Sequence, residues 1–393
     1  MKNWEKKKLE DIVIINPKET LKKGNYATKI AMDKLNPFCR DVSGVELEKY
    51  TGGSKFRNND TIMARITPCL ENGKTAYISQ LNSDEVGFGS TEYIVFRAKP
   101  GISDPDYIYY LITSEQIRKP AIKSMIGSSG RQRVQLDVIQ NLNVMTPPLN
   151  EQKKIGIFLR KLDEKISVNN AINRNLSELA QAYFEELFIK NALIEWKEGT
   201  LSDVGKIVAG GTPSKANGEY YTDYGIAWIT PKDLSVDKSV FISHGENDIT
   251  ELGLEKSSAT RMPAGTVLFS SRAPIGYIAI AANEVTTNQG FKSVVPNVNV
   301  GTAYIYYLLK RLLPTIENMA SGSTFKEISG TTMKTVPTII PDDGALKKFA
   351  DFCEPIMKQI QKNEIELKKL VKLRDNLLPK LMSGEIDLST LKL

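Results

Sequence analysis

Tyr107-Ile108-Tyr109-Tyr110-Leu111 returns letter for letter as Tyr304-Ile305-Tyr306-Tyr307-Leu308 in a chain of 393 residues. The match is not isolated. Trp4, Leu9, Asp11, Ile12 and Ile15 reappear with the same spacing as Trp196, Leu201, Asp203, Val204 and Ile207, and Val134, Ile139, Leu142 and Pro147 reappear as Ile328, Met333, Val336 and Pro341. That last register, a shift of 194, continues without a gap from Ile155 against Phe349 to Leu187 against Leu381. The period is too long for a solenoid and fits a duplicated domain with its linker. Two copies in one chain imply two related surfaces about an approximate two-fold axis.

Around the pentapeptide, apolar residues at Ile108, Leu111, Ile112 and Ile117 predict a helix over 105–119 that breaks at Pro120. On a helix its tyrosines are expected to pack rather than to form a base-stacking platform. Short apolar stretches at 11–15, 61–66 and 92–96, punctuated by Gly, Asn and Pro, predict strands. Stretches at 226–230, 266–269 and 277–281 repeat them, and a helix follows from 303 to about 313. From 150 to 190 and from 345 to 382 the apolar residues step by threes and fours, as a coiled-coil seam requires. Asn169 and Asn363 interrupt the two seams at equivalent places, so antiparallel pairing predicts that they approach each other.

The expected architecture is mixed α/β. Two similar globular domains, 1–149 and 191–342, are joined by two long helices, 150–190 and 343–383, that form an antiparallel coiled coil with pseudo-two-fold symmetry, and a tail covers 384–393. Composition narrows the function classes. No apolar run approaches the roughly 20 residues that span a bilayer, and residues 1–10 are too polar for a secretion signal, so the cytoplasm is expected and no membrane partner. Cys39, Cys69 and Cys353 lack any paired spacing and are expected to be buried small hydrophobes rather than disulfides or zinc ligands. His244, the only histidine, lies in a polar loop, which removes most metal centres and the usual nucleophilic triads. The net charge is only +6, and residues 196–342 hold 13 basic against 14 acidic side chains. A nucleic-acid surface must therefore come from local clustering.

Pro147-Pro148-Leu149-Asn150-Glu151-Gln152, followed by Ile155, Leu159, Leu162, Asp163 and Ile166, resembles the first conserved helix of type I restriction-modification specificity subunits. The run from Leu373-Arg374-Asp375-Asn376-Leu377-Leu378-Pro379 to Glu385 resembles the end of their second. Between them GIAWITPKDL at 225–234 and SSRAPIGY at 270–277 resemble recurring stretches of that family's target-recognition domains. The first copy departs from the pattern: Lys29 to Leu35 stand where the tryptophan-containing stretch should be, and Ile66-Thr67-Pro68 precedes a longer insert before Tyr77. The resemblance implies a DNA-binding module without catalysis of its own. Each domain would read one half of a split, asymmetric site in double-stranded DNA. The helices would set the separation and dock two adenine methyltransferase subunits, and restriction-translocase subunits would join them. S-adenosylmethionine, ATP and magnesium would belong to those partners, with no cofactor on this chain.

Loops that carry cations beside bidentate polar groups suit such work, since cations hold phosphates and the bidentate groups read base edges. In the first copy these are Lys55, Arg57, Arg65, Lys74, Arg131 and Arg133, the last two in a Gly-Ser loop; in the second they are Lys215, Lys232, Arg272, Asn288, Gln289, Lys292 and Lys326. Arg374 and Asp375 are expected as helix-surface or partner contacts. Enzyme motifs fail on inspection. Gly73-Lys74-Thr75 has Pro68 where a phosphate-binding loop needs glycine, and Asn36-Pro37-Phe38 lacks the second proline of an amino-methyltransferase signature. Glu366-Leu367-Lys368 lies on the helical stretch, where ion pairing is its expected use. The competing classes are a self-sufficient nuclease or methyltransferase and a two-domain adaptor that ignores DNA.

Overall fold

The computed structural model describes residues 3–322 and 326–388. It divides into two compact units, Met1–Val168 with Leu367–Leu393, and Asn169–Glu366. Unit 1 is built on an antiparallel sheet ordered Val13–Ile15, Tyr93–Ala98, Asp60–Ala64, Thr75–Tyr77. Its central strands are apolar without alternation because both faces are covered. Met63, Tyr77, Ile94 and Phe96 face the core that holds Tyr107–Ile112, whereas Ile62, Ala76, Tyr93 and Val95 face Ile30, Phe56 and Ile78. The second face is closed by a sheet ordered Glu46–Lys49, Tyr26–Ile30, Gly87–Gly89, Lys55–Phe56.

Unit 2 is also built on two sheets. Its larger sheet runs Gly205–Ala209, Lys292–Pro296, Val267–Ser271, Ile275–Ala281, Phe241–Ile242, and its smaller one Tyr221–Thr222, Asn247–Ile249, Ile226–Ile229, Thr286–Thr287. Val267 and Phe269 face the helix Thr302–Met319, and Leu268, Ala279 and Ala281 face Ile229, Val285 and Phe291. In the smaller sheets Lys29 and Ile30 pair in parallel with Phe88 and Gly89 as Trp228 and Ile229 pair with Thr286 and Thr287. Lys29 thus stands where the second copy has its tryptophan. Each unit is closed by its own first and last strands: Glu5–Lys8 pairs with Asn143–Thr146, and Lys197–Thr200 with Pro337–Ile340.

The six tyrosines of the repeat are all buried. Asp104 caps the first tyrosine helix by accepting from Tyr107 N at 3.0 Å, with Pro105 in the first turn. This helix ends at Thr113 and not at Pro120. Ser114 turns extended and bonds back to the Leu111 carbonyl at 2.7 Å, a second helix runs Glu115–Lys123, and Pro120 sits inside it. A proline there forfeits one ladder bond, which the packed face containing Ile117 and Ala121 offsets. The second tyrosine helix instead runs past its expected end, to Met319, with Pro314 inside it.

The long helices are Leu149–Glu185, which ends in a π-helical turn Glu186–Lys190, and Asp343–Met382. In unit 1, Ile155 and Leu159 share a core with Leu381 and Met382. In unit 2, Ala180 and Phe184 share one with Leu346, Phe349 and Cys353. Within unit 2 the residue numbers rise on one helix as they fall on the other, since the Tyr183 ring lies 4.2 Å from that of Phe352 and Asn169 Nδ2 donates to Glu366 Oε2 at 3.0 Å. Both seam asparagines are buried. Asn363 Nδ2 donates to Asn173 Oδ1 at 2.8 Å, so each amide bonds a residue about one turn from the other asparagine. The expectation was that the two asparagines approach each other; the offset lets each buried amide donate to an acceptor on the facing helix.

Two expectations are corrected. Of the cysteines only Cys353 is buried; Cys39 is exposed and Cys69 intermediate, because they lie in two separate irregular segments between strands of unit 1 rather than within a strand. Arg374 is not a surface group. Its guanidinium donates to Asp163 Oδ1 at 2.8 Å, and the Tyr110 hydroxyl donates to Asp163 Oδ2 at 2.6 Å, all three largely buried in unit 1. Among the described residues no helix is long and apolar enough to cross a membrane.

Candidate nucleic-acid interface

In each unit three backbone segments meet at one end of the sheet that faces the tyrosine helix. In unit 1, Arg65 N donates to Glu92 O at 2.9 Å and Val134 N to Arg65 O at 2.9 Å. In unit 2, Ser271 N donates to Gly290 O at 2.7 Å and Ile328 N to Ser271 O at 3.1 Å. The bridges Ile66 to Arg133 and Arg272 to Glu327 are correspondingly placed. One scaffold therefore carries Arg133 in the first copy and Glu327 in the second.

The charge at that position is reversed, and its partner comes from a different segment: Glu92 lies where unit 2 has Gly290, and Arg272 where unit 1 has Ile66. Arg133 holds Glu92 in a two-pronged pair, with its Nε at 3.0 and 2.9 Å from the two carboxylate oxygens and a terminal nitrogen at 2.6 Å. Glu327 instead accepts from Arg272 at 3.3 Å and lies 3.9 Å from the Lys292 ammonium. Lys292 also donates to the Gln289 carbonyl at 3.4 Å, and the Gln289 side chain accepts from the Thr212 hydroxyl. Burial pushes the Lys292 ammonium below its ordinary pKa. Asn288 folds back to accept from Gly290 N at 2.9 Å, which fixes the loop that presents Gln289. Thus Arg272, Asn288, Gln289 and Lys292 converge in unit 2, with exposed Lys326 next in sequence to Glu327.

Arg65 belongs to the unit 1 scaffold, with its guanidinium 3.3 Å from the Val134 carbonyl. Arg131 is exposed at the tip of a loop closed by reciprocal backbone bonds between Ile126 and Arg133, at 3.0 and 2.8 Å. Gly127 at φ +134° lets that loop turn, and a Cβ there would come within 3.1 Å of the Arg131 carbonyl. The other candidates lie elsewhere. Lys55 donates to the Glu19 carbonyl, and Arg57 donates to Glu19 Oε1 at 2.8 Å, in a cluster where Arg97 also clamps Asp60 at 2.7 Å on both oxygens. That cluster ties the 55–57 segment to the two central strands of the Val13–Tyr77 sheet, which carry Asp60 and Arg97. Lys74 donates to Met32 O at 2.9 Å, Lys232 pairs with Glu246 at 2.6 Å, and Lys215 is exposed in the turn after Ser214.

The carboxylates Glu92 and Glu327 and the hydroxyl of Thr212 were missed by reasoning that sought cations. The register pairing Val134 with Ile328 already set Arg133 against Glu327. A guanidinium held by a carboxylate is oriented but exchangeable: a phosphate or a guanine edge offers the same two acceptors. The Arg133 guanidinium holds the Glu92 carboxyl below the usual carboxylate range. The stabilisation this pair adds is present above the unfolded carboxylate pKa and is lost as pH falls through the lower folded value. Arg133→Ala is expected to return Glu92 toward its ordinary pKa in a carboxyl NMR titration; an unchanged midpoint rules out the pairing in solution. Among the described residues no group of three or more His, Cys, Asp or Glu side chains is placed to hold a metal ion.

The model of the type I restriction modification DNA specificity domain matches residues 1–178 and again 194–372. The type I restriction enzyme MjaIX specificity subunit of Methanocaldococcus jannaschii is 39% identical over 188 residues, which span 46% of this chain and 43% of that protein. The HindI specificity subunit of Haemophilus influenzae is 23% identical over 422 residues, covering 88% of this chain and 90% of that one. The crystal structure of a type I restriction-modification S subunit from M. genitalium aligns over 96% of each chain with a TM-score of 0.59 at 17% identity, a likeness of fold. With the specificity-domain model matched in both halves, the chain belongs to the family of type I restriction-modification specificity subunits.

Proposed function

We propose that each unit reads one half of a split, asymmetric DNA site, and that this chain is the sequence-reading subunit of a methylation and restriction complex with no catalysis of its own. The observation that carries this reading is the shared scaffold with opposite charges at one position, Arg133 held by Glu92 in unit 1 and Glu327 held by Arg272 in unit 2. The same backbone frame offers different donors and acceptors, as two readers of different base sequences require. The long helices, paired as an antiparallel coiled coil, set the spacing and dock two adenine methyltransferase subunits; nuclease-translocase subunits complete the assembly. A helix of 37 residues extends about 55 Å, or roughly one and a half turns of duplex DNA.

Mapping methylated adenines in cells with and without this chain tests the reading. Loss of methylation at one bipartite motif supports it, and an unchanged map rejects it. Methylation or cleavage of DNA by the purified chain alone would replace it with the self-sufficient enzyme. Arg131→Ala or Arg272→Ala is expected to weaken binding to the cognate duplex by about 1 to 3 kcal/mol if the residue reads a base. Unchanged affinity in a titration at fixed salt removes that residue from the interface.

A further inference from the structure

A matched turn of four residues stands in each unit where the chain crosses from one sheet to the other. In unit 1 it is 90–93: the Ser90 carbonyl accepts from Tyr93 N at 3.2 Å, and the Ser90 hydroxyl oxygen accepts from Glu92 N at 3.1 Å. In unit 2 it is 288–291: the Asn288 carbonyl accepts from Phe291 N at 3.2 Å, and the Asn288 side chain accepts from Gly290 N at 2.9 Å. A short polar side chain bonded to the backbone two residues on stiffens such a turn. The strand before it, Gly87–Gly89 or Thr286–Thr287, belongs to one sheet, and the strand after it, Tyr93–Ala98 or Lys292–Pro296, to the other.

Both ends of the turn are anchored. Tyr93 and Phe291 are buried, and the carbonyls of Glu92 and Gly290 accept from Arg65 N and Ser271 N in the three-segment frame. The second residue of each turn, Thr91 or Gln289, is exposed, whereas its turn neighbours are half-buried or buried. Each apex also stands beside positioned cations. Glu92, next in sequence to Thr91, holds Arg133, and the Gln289 carbonyl accepts from Lys292, which lies beside the Glu327 that holds Arg272. In unit 2 the apex amide is itself oriented. Gln289 Oε1 accepts from the Thr212 hydroxyl and keeps a second lone pair, with the Nε2 donors beside it.

We propose that this turn apex is a specificity-determining position of both units: Gln289 reads an adenine edge in the half-site of unit 2, and Thr91 reads a different base at the matched place in the half-site of unit 1. The inference rests on the reading of each unit as a DNA reader and names the side chain that makes the choice. A glutamine amide offers a donor and an acceptor side by side, the complement of adenine N7 and N6. Threonine has one hydroxyl and a methyl group and cannot form that pair. Two hydrogen bonds discriminate between bases only when the side chain cannot swing to suit another edge, and the turn bonds with Thr212 supply that fixed direction. The neighbouring guanidinium groups supply the phosphate contacts that set the register of the protein on the duplex.

The test is selection of bound duplexes from a random-sequence DNA pool by the purified full-length chain, followed by sequencing of the enriched pool. Wild-type chain is expected to enrich a split motif with an adenine that Gln289 reads. Gln289→Thr is expected to lower the preference at that base pair alone by about tenfold or more. Gln289→Glu is expected to move the preference to cytosine, whose amino group a carboxylate accepts, and Thr91→Gln to bring a new adenine preference into the other half of the motif. Both positions are exposed, so melting temperatures are expected to stay as in the wild type. A Gln289→Thr motif identical to the wild-type one overturns the proposal. So does a loss spread evenly over all sequences, which would make the apex a phosphate contact. Wild-type chain that enriches no motif would instead remove the reading of a split DNA site, a failure distinct from that of the apex residues.

Discussion

Asp163→Ala is expected to destabilise unit 1 by about 2 to 3 kcal/mol. The carboxylate accepts from Arg374 and from the Tyr110 hydroxyl at 2.8 and 2.6 Å, and the two charged side chains are 7% and 12% exposed. Removing it leaves the guanidinium with Asp375, 2.8 Å away but 56% exposed, and the Phe38 carbonyl at 3.4 Å, and leaves the Tyr110 hydroxyl without its acceptor. Burial raises the Tyr110 hydroxyl pKa above its ordinary value, so the tyrosine remains neutral and cannot replace the lost anion. The pair need not be worth that much in itself. Asp163→Ala with Arg374→Met is expected to recover part of the loss, because part of the penalty lies in the guanidinium left without its buried partner. Urea denaturation of the two variants decides it, and a single-variant loss below about 1 kcal/mol would place the pair with ordinary surface bridges.

Phe349→Ala is expected to cost unit 2 about 3 to 5 kcal/mol. The ring is 1% exposed and sits 5.2 Å from Phe188, 5.8 Å from Phe184, 6.0 Å from Tyr183 and 6.3 Å from Tyr307, centroid to centroid. Four aromatic neighbours cannot collapse into the vacated space without leaving their rotamers, so the cavity remains and its cost adds to the lost transfer energy. Phe349→Leu keeps most of the volume and is expected to cost less than half as much. Equal losses for the two variants would show that the ring's area, rather than the hollow it leaves, sets the penalty.

The residues that could be read from sequence are those whose neighbours are local or duplicated. Tyr107 to Leu111 announced a buried helix because the pentapeptide appears twice, and the long helices announced themselves by a stride of three and four. The failures share a cause. Ser114, not Pro120, ends the tyrosine helix, since a hydroxyl bond to Leu111 O outweighs one missing amide, and spacing does not encode that bond. Arg374 was read as surface because helical periodicity cannot see an acid 211 residues away on the facing helix. Lys55 and Arg57 look like free cations until Glu19 is folded against them from a segment without regular structure. In the loops, charge alone drew attention to Arg133 and Arg272. Their carboxylate partners went unread because an acid on a surface expected to meet phosphate looks out of place until it is seen orienting a guanidinium.

The closing strands of each unit bear on how this protein can change. Glu5–Lys8 lies beside Asn143–Thr146, and Lys197–Thr200 beside Pro337–Ile340, so the chain enters and leaves each unit at one spot. Such a doorway lets the stretch between the paired strands be transplanted as a cassette, with two junctions that sit side by side and a downstream helix that starts where it did before. A single genetic exchange bounded by those strands is therefore expected to hand the organism a new word without rewriting the grammar that surrounds it.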